Sequence, residues 1–308
     1  MNHTHVTRFE LSALTDNKKL ALFLFIVFLL VYLVTIYGNV GIVAIVHISP
    51  SLHTPMYYFL TCLSVVDLFY SSVITPKMLM DLLSEKKYIS YIGCILQFFF
   101  FAILVSTEVF ILTSMAYDRY VAICHPLQYV SIMVKSKCQG LILTAFSISL
   151  VQSTSTTSCM FNLQYCGPNL LDNFYCDVPQ LLKLSCSDTH FCDILTAFFI
   201  CLCTMSSLTV IMVSYVFIVL SIKRMKSTGG RQKAFSTCSS HVMCATLFYA
   251  TVFFTYLHPS STDLAKQDKV GSVFYTMVTP MLNPLIYSLR NQEVKRAVLH
   301  VFKKCKHR

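Results

Sequence analysis

The sequence predicts an all-α membrane protein, a bundle of seven transmembrane helices that forms one domain over residues 1–308. Three observations lead to this prediction. Hydrophobic residues make up 55% of the chain, and Asp, Glu, Lys and Arg only 12%, whereas soluble domains carry about 25% charged residues. The mean hydropathy is +0.63. Seven apolar runs are each long enough to cross a bilayer, which takes about 20 residues per helix.

The predicted spans follow one another with mostly short connections. Their approximate bounds are 20–46, 56–80, 91–122, 139–161, 194–222, 237–257 and 270–288. The fourth is the least apolar because it contains "VQSTSTTSC", but Ser and Thr hydroxyls can bond the backbone of their own helix. The longest connection is 162–193. A polar tail, 290–308, follows the last span, and we expect a short amphipathic helix within it.

The basic residues predict the orientation, because cytoplasmic loops are enriched in Lys and Arg. A cytoplasmic C-terminus puts most of the 24 Lys and Arg on the inner side, with Asp118 and Glu293 as the inner acids. The N-terminus is then extracellular, and Asn2 in the sequon "NHT" is a predicted glycosylation site. The net charge of +10 is therefore a topology signal and not a nucleic-acid footprint. The inner basic residues can also bind anionic membrane lipid.

The 14 cysteines divide into groups by position. A first group lies within spans and is expected to behave as small buried hydrophobes. It comprises Cys62, Cys201, Cys203 and Cys244. A second group lies on the outer side, where disulfides can form. It comprises Cys94, Cys166, Cys176 and Cys186. Four cysteines allow three pairings, and spacing does not choose among them. A metal site is disfavoured, because these spacings do not resemble a zinc ribbon.

Two acids fall inside spans, where an ionisable side chain is costly and usually functional. Asp67 lies about 18 Å along the second span and Glu108 about 21 Å along the third, which runs the opposite way, so both are expected near mid-membrane. Two facing carboxylates either share a proton or hold a cation, and oxygen ligands suit Na⁺. Asn39 and Asn283 could add oxygen ligands. The alternative is that each acid simply bonds neighbouring backbone.

One face of the third span combines apolar and charged residues. Phe101, Val105, Glu108 and Leu112 are spaced 4, 3 and 4, which keeps them on one side of a helix. Arg119 lies three turns beyond Glu108, near the same face. This pattern predicts a core helix that contacts a ligand near one end and the cytoplasm at the other.

Five short motifs occur in order along the chain. They are "GN" at 38–39, "LHTPMYYFL" at 52–60, "MAYDRYVAIC" at 115–124, "KAFSTCSSH" at 233–241 and "PMLNPLIYSLRN" at 280–291. Together they resemble the signatures of olfactory receptors, a branch of the rhodopsin-like G-protein-coupled receptors. The resemblance covers the whole chain and has the form of the tetrapod-type, class II branch.

The resemblance implies a two-state switch at the inner ends of the helices. Arg119, with Asp118 as its local partner, would hold the receptor inactive and then meet a G protein when the sixth helix swings outward. The other residues of this switch would be Tyr120, Tyr215, Lys233, His241, Asn283, Pro284 and Tyr287. Pro280 and Pro284 remove backbone donors from the seventh span and would supply a kink. The alternative is that Asp118 and Arg119 are only an interfacial pair.

The resemblance also implies disulfides Cys94–Cys176 and Cys166–Cys186, which leave Cys192 without a partner. The second disulfide would hold the long loop over a pocket in the outer half of the bundle, above Asp67 and Glu108. The resemblance and the helical spacing together suggest the residues around that pocket. They are Phe101, Ala102, Val105, Ser106, Ile200, Cys203, Tyr249, Val252, Phe253, Tyr256, Val273 and Thr276.

Such a pocket would be dry, with a few hydroxyls, and would suit a small, mostly apolar ligand held by one or two hydrogen bonds. Phe101 stands where related amine receptors carry an acid, so a neutral volatile is expected. Lys77 is expected to pair with Asp81, one turn away, and not with a ligand carboxylate.

These implications describe an odorant receptor that is not an enzyme, needs no cofactor beyond a possible Na⁺, and activates a stimulatory heterotrimeric G protein that raises cAMP. The family implies the plasma membrane of olfactory cilia. A chemoreceptor of the same fold used outside the nose is an alternative. A transporter is disfavoured because the chain has no repeated halves. An intramembrane enzyme is disfavoured because HExxH, GxSxG and P-loop motifs are absent.

Overall fold

The computed structural model describes residues 6–166, 169–225, 227–256, 269 and 271–306, and it confirms the predicted helical bundle. The first six long helices are α1 (Lys18–Ile48), α2 (Pro55–Leu83), α3 (Tyr91–Cys124), α4 (Lys135–Phe161), α5 (His190–Arg224) and α6 (Thr228–Tyr256). The seventh consists of the π-helical segment Phe274–Val278 and α7 (Thr279–Arg290). The short helix α8 (Gln292–Lys306) follows it.

Among the described residues, α1, α2, α3 and α5 are long and apolar enough to cross a membrane. Their outward side chains include exposed Phe23, Leu30, Phe198 and Met212. An apolar surface of this extent is unfavourable in water, whereas hydrocarbon solvates it. The bundle therefore has the surface of a membrane protein.

The helix α6 begins at Thr228, well before the apolar run that predicts the sixth span. The reason is that the polar residues of "TGGRQKAFS" continue the helix beyond the hydrophobic stretch. Short helices also occupy two connections, at Tyr129–Ile132 and Val178–Leu184.

The helix α3 lies at the centre of the bundle and packs against α2, α4, α5 and α6. Aromatic rings hold its middle in place. The ring of Phe101 lies 5.6 Å from that of Tyr70 and 6.0 Å from that of Tyr275, measured between centroids. Such contacts contribute beyond the burial of area alone.

The helices α1 and α7 approach each other closely at Gly38. A Cβ atom at Gly38 would lie 3.0 Å from Cγ of Pro284, so any larger residue would crowd the proline ring. The next residue, Asn39, donates from Nδ2 to the backbone carbonyl of Pro280 over 3.2 Å. That carbonyl has no helical donor, because Pro284 lacks an N–H group. The "GN" motif thus fits the proline-containing α7.

One end of the bundle, which we call the loop side, carries a small sheet that the all-α prediction did not include. Its central strand β1 (Arg8–Leu11) pairs antiparallel with β2 (Tyr88–Ser90) and parallel with β3 (Leu170–Leu171). Alternate residues of β1, Phe9 and Leu11, are buried, as the period of a strand requires. The sequence does not predict this sheet, because strands of two to four residues are too short to show an alternating pattern.

Three disulfides lie on the loop side. Two are Cys94–Cys176 and Cys166–Cys186. The third, Cys159–Cys192, corrects the expectation that Cys192 has no partner. The end of α4 and the start of α5 meet there, with Cα atoms of the two cysteines 5.7 Å apart, which suits a disulfide.

Candidate functional site

A cavity of about 90 Å³ lies among α3, α4, α5 and α6 on the loop side. Its wall is formed by Phe98, Phe101, Ala102, Val105, Ser106, Val109, Gln152, Thr156, Asp177, Val178, Thr196, Ile200, Cys203, Thr204, Phe248, Val252 and Tyr275. It reaches from the loop residues Asp177 and Val178 down to Val109, next to Glu108. The wall is mostly apolar, and its polar groups come mainly from α4 and α5.

The structure brings most of the predicted pocket residues to this cavity. Those on its wall are Phe101, Ala102, Val105, Ser106, Ile200, Cys203 and Val252. Their contact with a ligand remains a prediction. The side chain of Tyr256, also predicted to contact the ligand, lies outside the described residues.

Four predicted pocket residues lie away from the cavity wall. Phe253 points outward and is 56% exposed. The hydroxyl of Tyr249 bonds that of Ser207 on α5, Thr276 donates to the carbonyl of Ser272 over 2.7 Å, and Val273 packs against the main core. Helical spacing places such residues on a shared face, but the rotation of α6 and of the seventh helix decides where that face points.

A polar cluster on the cavity wall centres on Gln152 of α4. Its Oε1 accepts from the hydroxyl of Ser106 over 3.0 Å and from the thiol of Cys203 over 3.2 Å. The three side chains belong to α4, α3 and α5 and are all buried. The cluster therefore joins three helices at the cavity.

One acidic residue, Asp177, also lines the cavity, which the sequence did not predict. Both of its carboxylate oxygens have partners in the loop. Oδ1 accepts from the backbone N–H of Val178 over 2.8 Å, and Oδ2 accepts from the hydroxyl of Tyr175 over 3.1 Å. Burial, reinforced by the Asp177 charge, raises the pKa of Tyr175, so Tyr175 stays protonated and continues to donate.

The two acids within the bundle lie together, as expected. Asn283 donates from Nδ2 to Asp67 Oδ2 over 3.0 Å and to Glu108 Oε1 over 3.3 Å. Both acids are fully buried. Asn283 faces the acids with its amide nitrogen, so in this arrangement it is a donor to carboxylates and not an oxygen ligand. Asn39 uses its own nitrogen on backbone carbonyls.

The donor set at these acids fits a proton or a small hard cation. Asp67 Oδ1 and Glu108 Oε2 are buried and have no hydrogen-bond partner among the described residues. Buried acceptors without partners are costly, and a proton or Na⁺ would satisfy them. No cluster of three or more His, Cys, Asp or Glu that could hold a metal occurs within the described part of the chain.

The opposite end of the bundle, which we call the Arg119 side, contains the predicted switch pair Asp118 and Arg119. Asp118 is fully buried and accepts from Arg119 Nε over 3.0 Å. Its other oxygen accepts from the hydroxyl of Tyr129 over 2.8 Å. Burial and the neighbouring Asp118 charge raise the pKa of Tyr129, so this phenol remains a donor. Arg119 is thus held by its own neighbour, Asp118, which Tyr129 of the short helix Tyr129–Ile132 also bonds.

A second contact on the Arg119 side links α3, α5 and α6. The hydroxyl of Tyr215 and Nδ1 of His241 form a hydrogen bond of 2.7 Å, and Nε2 of His241 donates to the carbonyl of Leu112 over 3.0 Å. Because the carbonyl can only accept, Nε2 of this His carries a proton.

The remaining predicted switch residues fall into three groups. Tyr120 contacts His125 in a hydrogen bond of 3.1 Å. Pro284 packs on Gly38, and Tyr287 is fully buried. The side chain of Lys233, and the predicted glycosylation site Asn2, lie outside the described residues.

Sequence reasoning missed Gln152, Thr196, Asp177 and Tyr129. Gln152 stands out as the amide within the hydroxyl-rich stretch "VQSTSTTSC" of the fourth span, which is a usable signal. Thr196 and Asp177 carry none, because only the placement of α5 and the loop brings them to the cavity. Tyr129 lies in a connection with no distinguishing pattern.

Comparison with known proteins agrees with this architecture. A family model described as "Olfactory receptor" matches residues 28–305. Olfactory receptor 5AP2 of Mus musculus is 50% identical over 297 residues, covering 96% of this chain and 94% of the relative. Olfactory receptor 8A1 of Homo sapiens is 52% identical over 299 residues, covering 96% and 91%.

Squid rhodopsin, a solved structure, superposes with a TM-score of 0.76 over 94% of this chain and 87% of that chain, at 17% identity, which shows the fold. The chain therefore belongs to the olfactory receptor family, whose members are multi-pass membrane receptors coupled to G proteins and are not enzymes.

Proposed function

We propose that this chain binds a small, mostly apolar, neutral volatile in the cavity and then activates a stimulatory G protein, which raises cAMP. The observation that carries the proposal is the cavity itself, which α3, α4, α5 and α6 enclose with a mostly apolar wall. Its volume of about 90 Å³ is below the roughly 300–1,000 Å³ of pockets for drug-sized ligands. A compact ligand is therefore favoured.

The charges around the cavity support a neutral ligand. Asp177 is the charged residue on its wall, and loop donors already occupy both carboxylate oxygens. An ammonium ligand would have to compete with these bonds. Lys77 pairs with Asp81, as expected, and is not on the cavity wall.

The Arg119 side supports coupling to a G protein. Hydrogen bonds and not disulfides hold its described residues together, and His241 joins α6 to both α3 and α5 through two of them. A hydrogen bond contributes about 0.5–1.5 kcal/mol net. An outward movement of α6 would thus cost only a few such bonds and would uncover Arg119 for a cytoplasmic partner.

Asp67 and Glu108 would allow Na⁺ or protonation to modulate the activity of the receptor. Their unpartnered oxygens and the bridging Asn283 support a shared proton or one bound cation at mid-bundle. We place the N-terminus outside the cell, with the plasma membrane of olfactory cilia as the working location.

The proposal is tested by cAMP measurements in cells that express the full chain with a stimulatory G protein, challenged with a panel of neutral volatiles. We expect a dose-dependent rise that Arg119→Ala abolishes. Arg231→Ala is the matched control, because Arg231 lies on the same side but bonds only the nearby Met225 carbonyl among the described residues. Surface staining normalises delivery of each variant.

Two results would contradict the proposal. A signal that persists in Arg119→Ala would show that Asp118 and Arg119 are only an interfacial pair. Silence of a well-delivered wild type across the panel would contradict odorant binding coupled to cAMP.

A further inference from the structure

Most polar side chains on the cavity wall are already bonded within the protein. The hydroxyl of Ser106 and the thiol of Cys203 donate to Gln152 Oε1. The hydroxyl of Thr156 donates to the backbone carbonyl of Gln152 over 3.0 Å. These three donors can bind a ligand only by giving up a bond that the protein already makes.

Thr196 differs from these residues. It lies on the cavity wall, the residue is 6% exposed, and its Oγ1 has no hydrogen-bond partner among the described residues. A threonine in a helix commonly bonds the carbonyl four positions earlier, as Thr209 does on the same helix. Because a buried hydroxyl without a partner is costly, the free hydroxyl of Thr196 indicates a missing acceptor.

Gln152 supplies a second donor from the neighbouring helix. Its Oε1 is occupied by Ser106 and Cys203, whereas its Nε2 makes no hydrogen bond with the described residues. The residue lies on the cavity wall and is 8% exposed. An amide nitrogen can only donate, so it too requires an acceptor.

We propose that Thr196 and Gln152 form a polar subsite for a carbonyl oxygen, so that the ligand is a compact ketone, aldehyde or ester. This inference rests on the proposed odorant-receptor function and narrows its ligand class. A carbonyl oxygen is uncharged and has two lone pairs, so it can accept from both groups. The alkyl part of the ligand would then contact the apolar residues Phe101, Val105 and Ile200.

The test compares matched ligands on the full chain in cells. The panel consists of short-chain ketones, aldehydes and esters, each paired with the alkene in which a methylene group replaces the carbonyl oxygen, such as 2-hexanone with 2-methyl-1-hexene. We expect the carbonyl member to be more potent in the wild type, by about tenfold for a loss of one to two hydrogen bonds. The two members of each pair have nearly the same shape, so the ratio of their potencies measures the contribution of the carbonyl oxygen to binding.

Substitutions then assign the effect to Thr196. Thr196→Val keeps the shape and removes the hydroxyl, and we expect it to lower the potency of the carbonyl ligand about three- to tenfold while leaving its alkene partner unchanged. Thr196→Ser keeps the hydroxyl and should retain the preference. Thr209→Val, on the exposed face of the same helix, is the control and should change neither ligand.

Three outcomes overturn the inference. The first is a wild type that responds equally to both members of each pair. The second is a wild type that responds only to the hydrocarbons. Either result would remove the carbonyl subsite and leave the proposed odorant-receptor function intact. The third is a Thr196→Val variant that loses potency equally for carbonyl and alkene, which would mark a packing role. Silence to every compound would instead contradict the proposed function together with this inference.

Discussion

At the scale of single residues, Asn283 determines how two acids coexist in the middle of the bundle. One amide nitrogen serves both carboxylates, at 3.0 and 3.3 Å. The two remaining oxygens, Asp67 Oδ1 and Glu108 Oε2, are buried and have no hydrogen-bond donor among the described residues. Carboxylates in such a setting cannot both ionise cheaply unless a cation lies with them. We therefore expect the protonation and charge of this group to follow the supply of protons or Na⁺.

Glu108→Gln tests this dependence. Replacing one carboxylate by an amide removes a charge and adds a hydrogen-bond donor. In the wild type we expect ligand potency to change when external Na⁺ is replaced by choline, or when pH is varied at constant Na⁺. The variant should lose both of these responses. Thr107→Val is the control, because among the described residues Thr107 bonds only the carbonyl of Ile103 in its own helix. Equal Na⁺ and pH responses in wild type and Glu108→Gln would argue that each acid is only a polar core residue.

At the scale of elements, the contact between α1 and α7 depends on Gly38, which has no side chain. Pro284 packs directly onto the backbone at Gly38, and Asn39 bonds the carbonyl that Pro284 leaves free. Proline weakens α7 at the same place where α1 supports it. The two helices thus act as one unit on that side of the bundle.

Gly38→Ala should destabilise the protein, because its methyl group would lie 3.0 Å from Cγ and 3.3 Å from Cβ of Pro284. Overpacking of this kind costs about 1–3 kcal/mol, which we expect as a fall of several degrees in the melting temperature of the detergent-purified protein. Gly41→Ala is the matched control, since nothing lies within 4 Å of a Cβ there. Equal melting temperatures for the two variants would contradict the close approach.

At the scale of the whole molecule, the two ends of the bundle are fastened in different ways. The loop side has three disulfides and a sheet, and Lys269 pairs with Asp172 at 2.7 Å. On the Arg119 side, hydrogen bonds connect the described elements, including those from the hydroxyl of Tyr57 to Asn291 and Glu293. A conformational change costs less where no covalent link must be kept. The Arg119 side is therefore expected to move, and the loop side to stay fixed.

Removal of the Cys159–Cys192 disulfide tests the fixed end. A disulfide typically contributes about 2–4 kcal/mol, so Cys159→Ser, Cys192→Ser and the double variant should melt at similarly lowered temperatures. Ligand potency should fall as well, because Thr196 follows Cys192 by one helical turn. Cys201→Ser is the control, since Cys201 is free and exposed on the same helix. A double variant as stable as the wild type would show that this bond contributes nothing.

Hydropathy was sufficient to predict the helices, because a bilayer needs long apolar runs and few other segments provide them. Its limits are visible at α6, whose polar first turns carry no hydropathy signal, and at β1, which is too short to show a period. The third disulfide escaped notice because Cys159 lies inside the predicted fourth span, where a cysteine is expected to be an ordinary buried side chain. Pairing it with Cys192 requires knowing that α4 ends where α5 begins.

The candidate site was predictable where one helix alone determines it. The family resemblance together with the helical spacing of α3 suggested Phe101, Ala102, Val105 and Ser106, and all four lie on the cavity wall. Phe253 does not, because its exposure depends on the rotation of α6 against its neighbours. Thr196 was missed for a related reason. Hydroxyls in spans are normally satisfied by their own helix, and only coordinates reveal that this one is not.

The sheet on the loop side has a consequence for synthesis. The strand β1 is synthesised well before its partner β3, and Lys269, which bonds Ser12, follows Ser12 by 257 positions. At about 5–20 residues per second, the interval is on the order of tens of seconds. During that time Phe9 and Leu11 cannot complete the burial that they have in the finished protein. The strand β1 is therefore synthesised well before the last of the segments that hold it in place.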